Sequence, residues 1–236
     1  MSTDTASRRS ASPGREVPEA ALSPSPWRAG SRTRSREREI KRDAVIRAAA
    51  RAFNRRGYHN TSLADIARDL AVTKPTIYYY VRNKEDLLYQ CFREGLAEIE
   101  AAFAAVRHSD RPARERLGIV LRRYAEAIAS DFGWCMIRAD DHDLSAELSR
   151  DIRRLKSGID QDIRRLIRDG MEDGSVAQCD PKMAAFALAG ALNSIGHWYR
   201  AGQSLTPEQI ADAFVALFEQ GLLPRAAARK SRNQGV

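Results

Sequence analysis

The 236 residues predict an all-α protein of about nine helices. Apolar residues recur at intervals of three and four from Ile40 to Leu217, and no stretch alternates apolar with polar residues as a half-buried strand would. Helix starts are marked by capping residues at Ser62, Thr73, Asn83, Asp180 and Thr206, several followed by a first-turn proline or a capping-box partner. Gly57, Gly202 and Gly221 stand where helices are expected to stop.

The first regular helix is expected over Ile40–Arg56, with Ala44, Val45, Ala48, Ala49, Ala52 and Phe53 facing inward. Phe53 and Tyr58 should pack together beneath the next two helices. Ser62–Leu70 is a short helix with Leu63, Ile66, Ala67 and Leu70 on one face, and Asp65 completes a capping box with Ser62. Ala71-Val72 leaves room only for a tight turn before a second short helix, in which Thr73 is the cap and Pro75 sits in the first turn. Lys84–Val106 is then a long helix burying Leu87, Leu88, Cys91, Phe92, Leu96, Ile99 and Phe103.

Pro112–Ser130, Trp134–Ala139 and Leu144–Met171 continue the helical pattern. The outer face of Leu144–Met171 is dense in Arg and Asp and reads as a solvated face. Asp180-Pro181 opens a helix that should reach Gly202, and Thr206-Pro207-Glu208-Gln209 opens the last one, up to Gly221.

Composition restricts the function. The net charge of +8 is unevenly placed: Lys41–Lys84 holds ten Lys/Arg against three acids, whereas residues 85–224 hold seventeen against twenty-three. Residues 1–40 hold eight basic side chains against five acidic, and residues 225–236 hold four against none. Basic charge gathered on one segment and the tails is the footprint of nucleic-acid binding, with a different task for the remainder. No run of about 18 apolar residues occurs and the N-terminus has no apolar signal segment, so a cytoplasmic protein without a membrane span is expected. Cys91, Cys135 and Cys179 are scattered, which suits a reducing compartment and offers no zinc spacing.

Two short helices joined by a tight turn are the shape of a helix-turn-helix. Lys74, Pro75 and Thr76 lie at the start of the second helix, the end that meets base edges in a major groove. Lys donates to guanine, a Thr hydroxyl bonds either way, and Pro or the Thr methyl can touch a thymine methyl. Ile77 and Tyr80 are expected to face inward, leaving the Tyr78 and Tyr79 hydroxyls for phosphates. Lys84 comes directly after the Asn83 cap, and a helix N-terminus with a lysine suits a phosphate. An ordinary helical hairpin would explain Ile77 and Tyr80 but not the grouping of the other residues.

Thr61–Leu87, TSLADIARDLAVTKPTIYYYVRNKEDL, resembles the signature of TetR-family transcriptional regulators. Pro75 stands where many members have Gly, and Val81 where many have Phe, which bears on the bases read and not on the fold. The resemblance implies a helix-turn-helix domain over residues 37–84 and a helical effector-binding and dimerisation domain over 85–224. They are flanked by a disordered basic arm, 1–36, and a basic tail, 225–236. It implies double-stranded DNA with a palindromic operator as partner, and the candidate DNA-binding residues are Thr61, Ser62, Lys74, Pro75, Thr76, Tyr78, Tyr79 and Lys84.

Small side chains line Met183–Gly202 and permit close helix approach, either inside the chain or against a second copy. In the family the last two helices pair with their copies, so the resemblance implies a homodimer through Ala187, Gly190, Ser194, Phe214, Leu217 and Phe218. The segment from Asn193 through Trp198-Tyr199-Arg200 to Leu222 is similar to TetR-type repressors of fatty-acid, steroid or related acyl-CoA breakdown. This implies a large pocket for a small hydrophobic effector, an acyl group or acyl-CoA, with a long-chain or polycyclic acyl-CoA expected.

Trp134, Ile137 and Arg138, with Asn193, His197 and Trp198, are the candidate effector residues, since an apolar body with a single charge suits such a ligand. The same residues would also serve as core with one snorkelling Arg. Asp140-Asp141-His142-Asp143 cannot converge on one ion, and no nucleophile elbow, phosphate loop or dinucleotide fingerprint is present. No metal, cofactor or enzymatic activity is therefore expected. A ligand-responsive regulator, most often a repressor in this family, is the reading. The alternatives are a non-specific architectural DNA-binding protein and a TetR-type regulator of drug efflux. Operator, effector and regulated genes are not readable from the chain.

Overall fold

The computed structural model describes residues 34–139, 141–200, 202 and 204–220. The expected tail over 225–236, the helix stop at Gly221, Asp140 and all but the last three residues of the expected arm lie outside them. Met1–Lys41 and Arg42–Val236 separate as two units. Of the first, the described part is the opening of a helix.

Nine α-helices and one 3₁₀ turn are present among the described residues, and no strand. They are α1 (Arg34–Arg56), α2 (Leu63–Asp69), α3 (Lys74–Tyr78), α4 (Lys84–Val106), α5 (Ala113–Ala129), α6 (Gly133–Arg138), α7 (Ala146–Glu172), α8 (Pro181–Trp198) and α9 (Pro207–Gln220). The 3₁₀ turn is Asp141–Asp143, between α6 and α7.

Helix α1 starts at Arg34, earlier than the expected Ile40, so residues 34–36 are helical and not part of a disordered arm. Glu37 and Lys41, one turn apart, form an ion pair that supports this solvated opening and holds the Glu37 carboxyl below its usual range. Further along, Val45, Ile46, Ala49, Ala50, Ala52 and Phe53 are buried, while Ala44 and Ala48 are only half-buried. The inward stripe is thus rotated by about one residue from the expected one, and Ile46, the larger side chain, takes the deeper place. Phe53 meets Tyr58 edge-on at 5.3 Å between ring centroids.

The short helices form as their caps dictate. Ser62 accepts from the Asp65 amide at 3.1 Å and the Asp65 carboxylate accepts from the Ser62 amide at 2.9 Å, a complete capping box. At the other end of α2 the amides of Ala71 and Val72 donate to the Arg68 and Ala67 carbonyls at 3.0 and 2.9 Å. That is a Schellman motif, and it requires a left-handed residue after the cap. Ala71 supplies it with φ +54°, the one non-glycine residue of positive φ among those described.

Helix α4 has the expected bounds and buries every residue expected. Downstream, α5 is central: it touches α4, α6, α7, α8 and α9. Helix α6 lies against α4, α5 and α8. It comes so close to α4 that a Cβ on Gly95 would stand 2.7 Å from Met136 Sδ. Helix α8 stops at Trp198 and not at Gly202. Tyr199 turns extended, and the last carbonyls are satisfied by guanidinium groups: Arg138 and Arg200 both donate to the His197 carbonyl.

The left-handed alanine generates a stability prediction. That conformation costs an L-residue roughly 1–2 kcal/mol, and glycine forfeits part of the gain through its freer unfolded chain. Ala71→Gly should therefore stabilise by about 0.5–1 kcal/mol and raise the melting temperature by about 1–4 °C, read by circular dichroism. Ala71→Val should lower it.

Candidate nucleic-acid interface and effector cavity

The reader is built from α2, α3 and the N-terminus of α4. Ile77 is fully buried and anchors α3, while Tyr78 and Tyr79 are 50% and 64% exposed. Tyr80 is only half-buried, and Val81, at 3% exposure, completes the inward side. Val81 closes a helical turn onto the Ile77 carbonyl at 3.2 Å, which carries its small side chain inward where the larger Tyr80 had been expected. Thr73 does not cap the backbone with its side chain. Its hydroxyl shares a hydrogen bond with that of Thr76, 2.9 Å away, so both hydroxyls stand together at the exposed start of α3.

Ser62, Lys74, Tyr78, Asn83 and Lys84 border one shallow depression beside α3. Lys74 Nζ lies 5.8 Å from the Tyr78 ring centre. Asn83 caps α4 by accepting from the Asp86 amide at 2.7 Å. Lys84 is half-buried, its ammonium 4.2 Å from the centre of the Tyr58 ring and 3.4 Å from the His59 carbonyl. Burial lowers its pKa, and Asp143 opposes that shift. Asp143 itself reaches this edge from the turn before α7, with Oδ1 2.9 Å from His59 Nε2.

Thr61 is the residue that faces elsewhere. It is 1% exposed, and its hydroxyl donates to the Gly57 carbonyl at 2.8 Å, so it fastens the α1–α2 turn. The Ser62 hydroxyl is engaged by Asp65 at 2.6 Å; that bond and the Ser62 amide hold the Asp65 carboxyl down to about 2. Pro75 is exposed at the first turn of α3.

Two hollows lie beside α6. One, of about 240 Å³, opens among α4, α5, α6, α7 and α8 and is mostly apolar, with Leu96, Ile99, Met136 and Ile163 in its wall. Ile137 and Asn193 line it as expected. The sequence did not single out its polar members, Tyr124, Lys156 and Asp160. The Tyr124 hydroxyl donates to Asn193 Oδ1 at 3.1 Å, and burial pushes its pKa up to about 12, so it stays a neutral donor. A tyrosine within the apolar stripe of α5 was the signal that could have found it.

The other hollow is a cleft of about 470 Å³ on the reader side of α6, with Trp134 and Arg138 in its wall. His197 and Trp198 border neither hollow and are exposed at the end of α8.

The remaining predicted residues lie on an exposed face of α8 and α9. Ala187 and Gly190 are exposed, and a Cβ on Gly190 would meet nothing within 4 Å among the described residues. Met183 and Phe186 add apolar surface at 61% and 50% exposure, as does Leu217 at 41%. Ser194, Phe214 and Phe218 are half-buried, with the two rings 6.0 Å apart.

Among the described residues no group of three or more His, Cys, Asp or Glu side chains is placed to hold a metal ion. No helix among them is long and apolar enough to cross a membrane.

A basic helix-turn-helix carried on a helical bundle defines the class as a DNA-binding regulator. Comparison with known proteins makes this specific. The profile "Bacterial regulatory proteins, tetR family" matches residues 45–91, and "Tetracyclin repressor-like, C-terminal domain" matches residues 110–222. The transcriptional regulator RutR of Escherichia coli O157:H7 is 30% identical over 159 residues, covering 66% of this chain and 73% of RutR. The chain belongs to the TetR family of transcriptional regulators. The fatty acid metabolism regulator protein of Bacillus subtilis is 22% identical over 181 residues, covering 75% of this chain and 93% of that protein. Among solved structures, AibR in complex with isovaleryl coenzyme A and operator DNA superposes with a TM-score of 0.65 at 26% identity, covering 76% of this chain and 98% of AibR.

The reader geometry predicts two separable effects. Thr76→Ala should relax preference at one or two operator positions, each worth roughly 1–3 kcal/mol. Lys84→Ala should weaken binding to all sequences alike and lower the salt slope by about one unit. Binding measured across operator variants and salt concentrations checks both, and equal sequence-independent losses would contradict the assignment.

Proposed function

We propose that the chain is a homodimeric repressor which holds a palindromic operator and releases it when a compact acyl thioester enters the bundle. Residues 37–84 serve as the reader and 85–224 as the effector and dimer part. The observation that carries the reading is the position of α6. Met136 and Ile137 wall the apolar cavity, and Met136 packs on Gly95 of α4, the helix whose N-terminus presents Lys84. A ligand in the cavity therefore pushes on the helix that holds the DNA-facing edge.

Size and lining support the effector class. About 240 Å³ is below the roughly 300–1,000 Å³ of common ligand sites, smaller than the large pocket expected for a long-chain or polycyclic acyl group, and it favours a short or branched chain. AibR, similar in fold, is the protein whose structure holds isovaleryl coenzyme A. Two readers of a homodimer joined through α8 and α9 would meet half-sites about 34–36 Å apart, so a shift of a few ångströms breaks the simultaneous fit.

Titration of operator-bound protein with acyl-CoAs of graded length, beside free CoA and planar drugs, is the test. Short branched acyl-CoAs should release the operator, and a coupling of about 1–3 kcal/mol gives roughly a 5–150-fold loss of affinity. Release by drugs alone would reject the ligand class. A short symmetric footprint is expected, and diffuse protection would indicate an architectural protein. Gly190→Trp, at a position that no other described residue covers, should split the dimer in sedimentation without lowering the melting temperature of the monomer fold. A mutant that stays dimeric would place the interface elsewhere.

A further inference from the structure

The cleft on the reader side of α6 is not needed for an acyl chain, and its chemistry is different. Four guanidinium side chains border it: Arg51 and Arg55 from α1, Arg138 from α6 and Arg200 beyond α8. Asp131 is the one carboxylate among its lining residues. Trp134 and Tyr199 supply aromatic wall. Asn54 lies in the same wall, its Oδ1 buried and without a hydrogen-bond partner among the described residues. A concave site rich in arginine and with aromatic faces suits a phosphorylated nucleoside.

Asp131 is also where α1 grips the bundle. Arg51 Nε donates to Asp131 Oδ2 at 2.8 Å, and Asn54 Nδ2 donates to the Asp131 carbonyl at 2.9 Å. One turn earlier, the Arg47 guanidinium lies 5.2 Å from the centre of the Phe132 ring. The corner they hold is stiff, because a Cβ on Gly133 would stand 1.7 Å from the Ile128 carbonyl oxygen. Any anion entering the cleft competes with Asp131 for Arg51.

We infer that this cleft binds the phosphate-bearing nucleotide head of the effector and that the head acts on the reader directly, by displacing Asp131 from Arg51. This rests on the acyl-thioester reading above, with the acyl chain in the apolar cavity and the head in the cleft. Both hollows have Ile128 in their walls and lie beside α6, which sets an apolar site and an anionic site next to each other. Arg51 and Asp131 thereby acquire opposite roles toward the ligand and the same role toward the operator.

Calorimetric titration of the full chain with adenosine 3′,5′-bisphosphate tests the head site without any acyl group. Saturable binding is expected, weakened about tenfold or more in Arg51→Gln and in Arg138→Gln and tightened in Asp131→Asn, because that change removes the competitor. Both Arg51→Gln and Asp131→Asn break the pair, so both should lower ligand-free operator affinity, by about fivefold or more. Arg51 is 56% exposed, and loss of an exposed pair leaves the fold intact, which thermal melting of each variant confirms.

No saturable binding to the wild-type chain overturns the site, as does a shift of bisphosphate affinity in the same direction for Arg51→Gln and Asp131→Asn. Unchanged operator affinity in both variants overturns the coupling. Release of the wild-type operator complex by isovaleryl-CoA with flat bisphosphate titrations sinks the head site alone. The expected bisphosphate pattern without any release by acyl-CoAs sinks the effector reading and leaves the anion site standing.

Discussion

Everything in this chain depends on α4 being one uninterrupted helix shared by two kinds of surface. Its first turn, capped by Asn83, presents Lys84 beside the Tyr58 ring. Its middle is where Gly95 admits Met136 of α6, closer than any side chain at that position would allow. A helix with one end at the proposed DNA-facing edge and its midpoint against a cavity wall is placed to pass a displacement on, because packed interiors shift between discrete arrangements and do not deform smoothly.

Two sets of contacts from the bundle flank this helix, one on α1 and one on the α1–α2 turn and the start of α4. The Asp131–Phe132 corner holds Arg47, Arg51 and Asn54 of α1. The turn before α7 holds the other side: Asp143 meets His59, and the Ser145 amide donates to Glu85 at 2.7 Å. Asp143 places negative charge next to Lys84 and His59 on the edge assigned to phosphate contact. The acidic balance of residues 85–224 is therefore not only a solvated face, for one of its carboxylates is spent at the reader.

Local features were readable from the chain, and long-range ones were not. The α2 capping box, the first-turn prolines of α3 and α8 and the bounds of α4 are set by residues within one or two turns of each other, so a linear reading finds them. The inward turn of Ile46 and Val81 was missed because which neighbour on a helix goes deepest is decided by the partner surface. Arg51, Asn54 and Asp131 were missed for a stronger reason. Arg51 and Asp131 are 80 residues apart, and each looks like ordinary solvated charge until the fold brings them together. Thr61 shows the converse, since a polar side chain beside a recognition motif proved to be a buried fastening.

The weakness of these contacts is what suits them to regulation. Exposed ion pairs are worth about 0–1 kcal/mol each, and Arg51, at 56% exposure, belongs to that range. A buried pair would cost about 3–5 kcal/mol to break, more than the 1–3 kcal/mol by which one site usually influences another. A ligand moves an equilibrium only by its difference in affinity for the two states. The apolar packing of α1 and α4, with Ile46, Phe53, Leu88 and Phe92 buried, stays in place. What one competing anion and a modest shift of α6 can change are the half-exposed polar contacts at its rim.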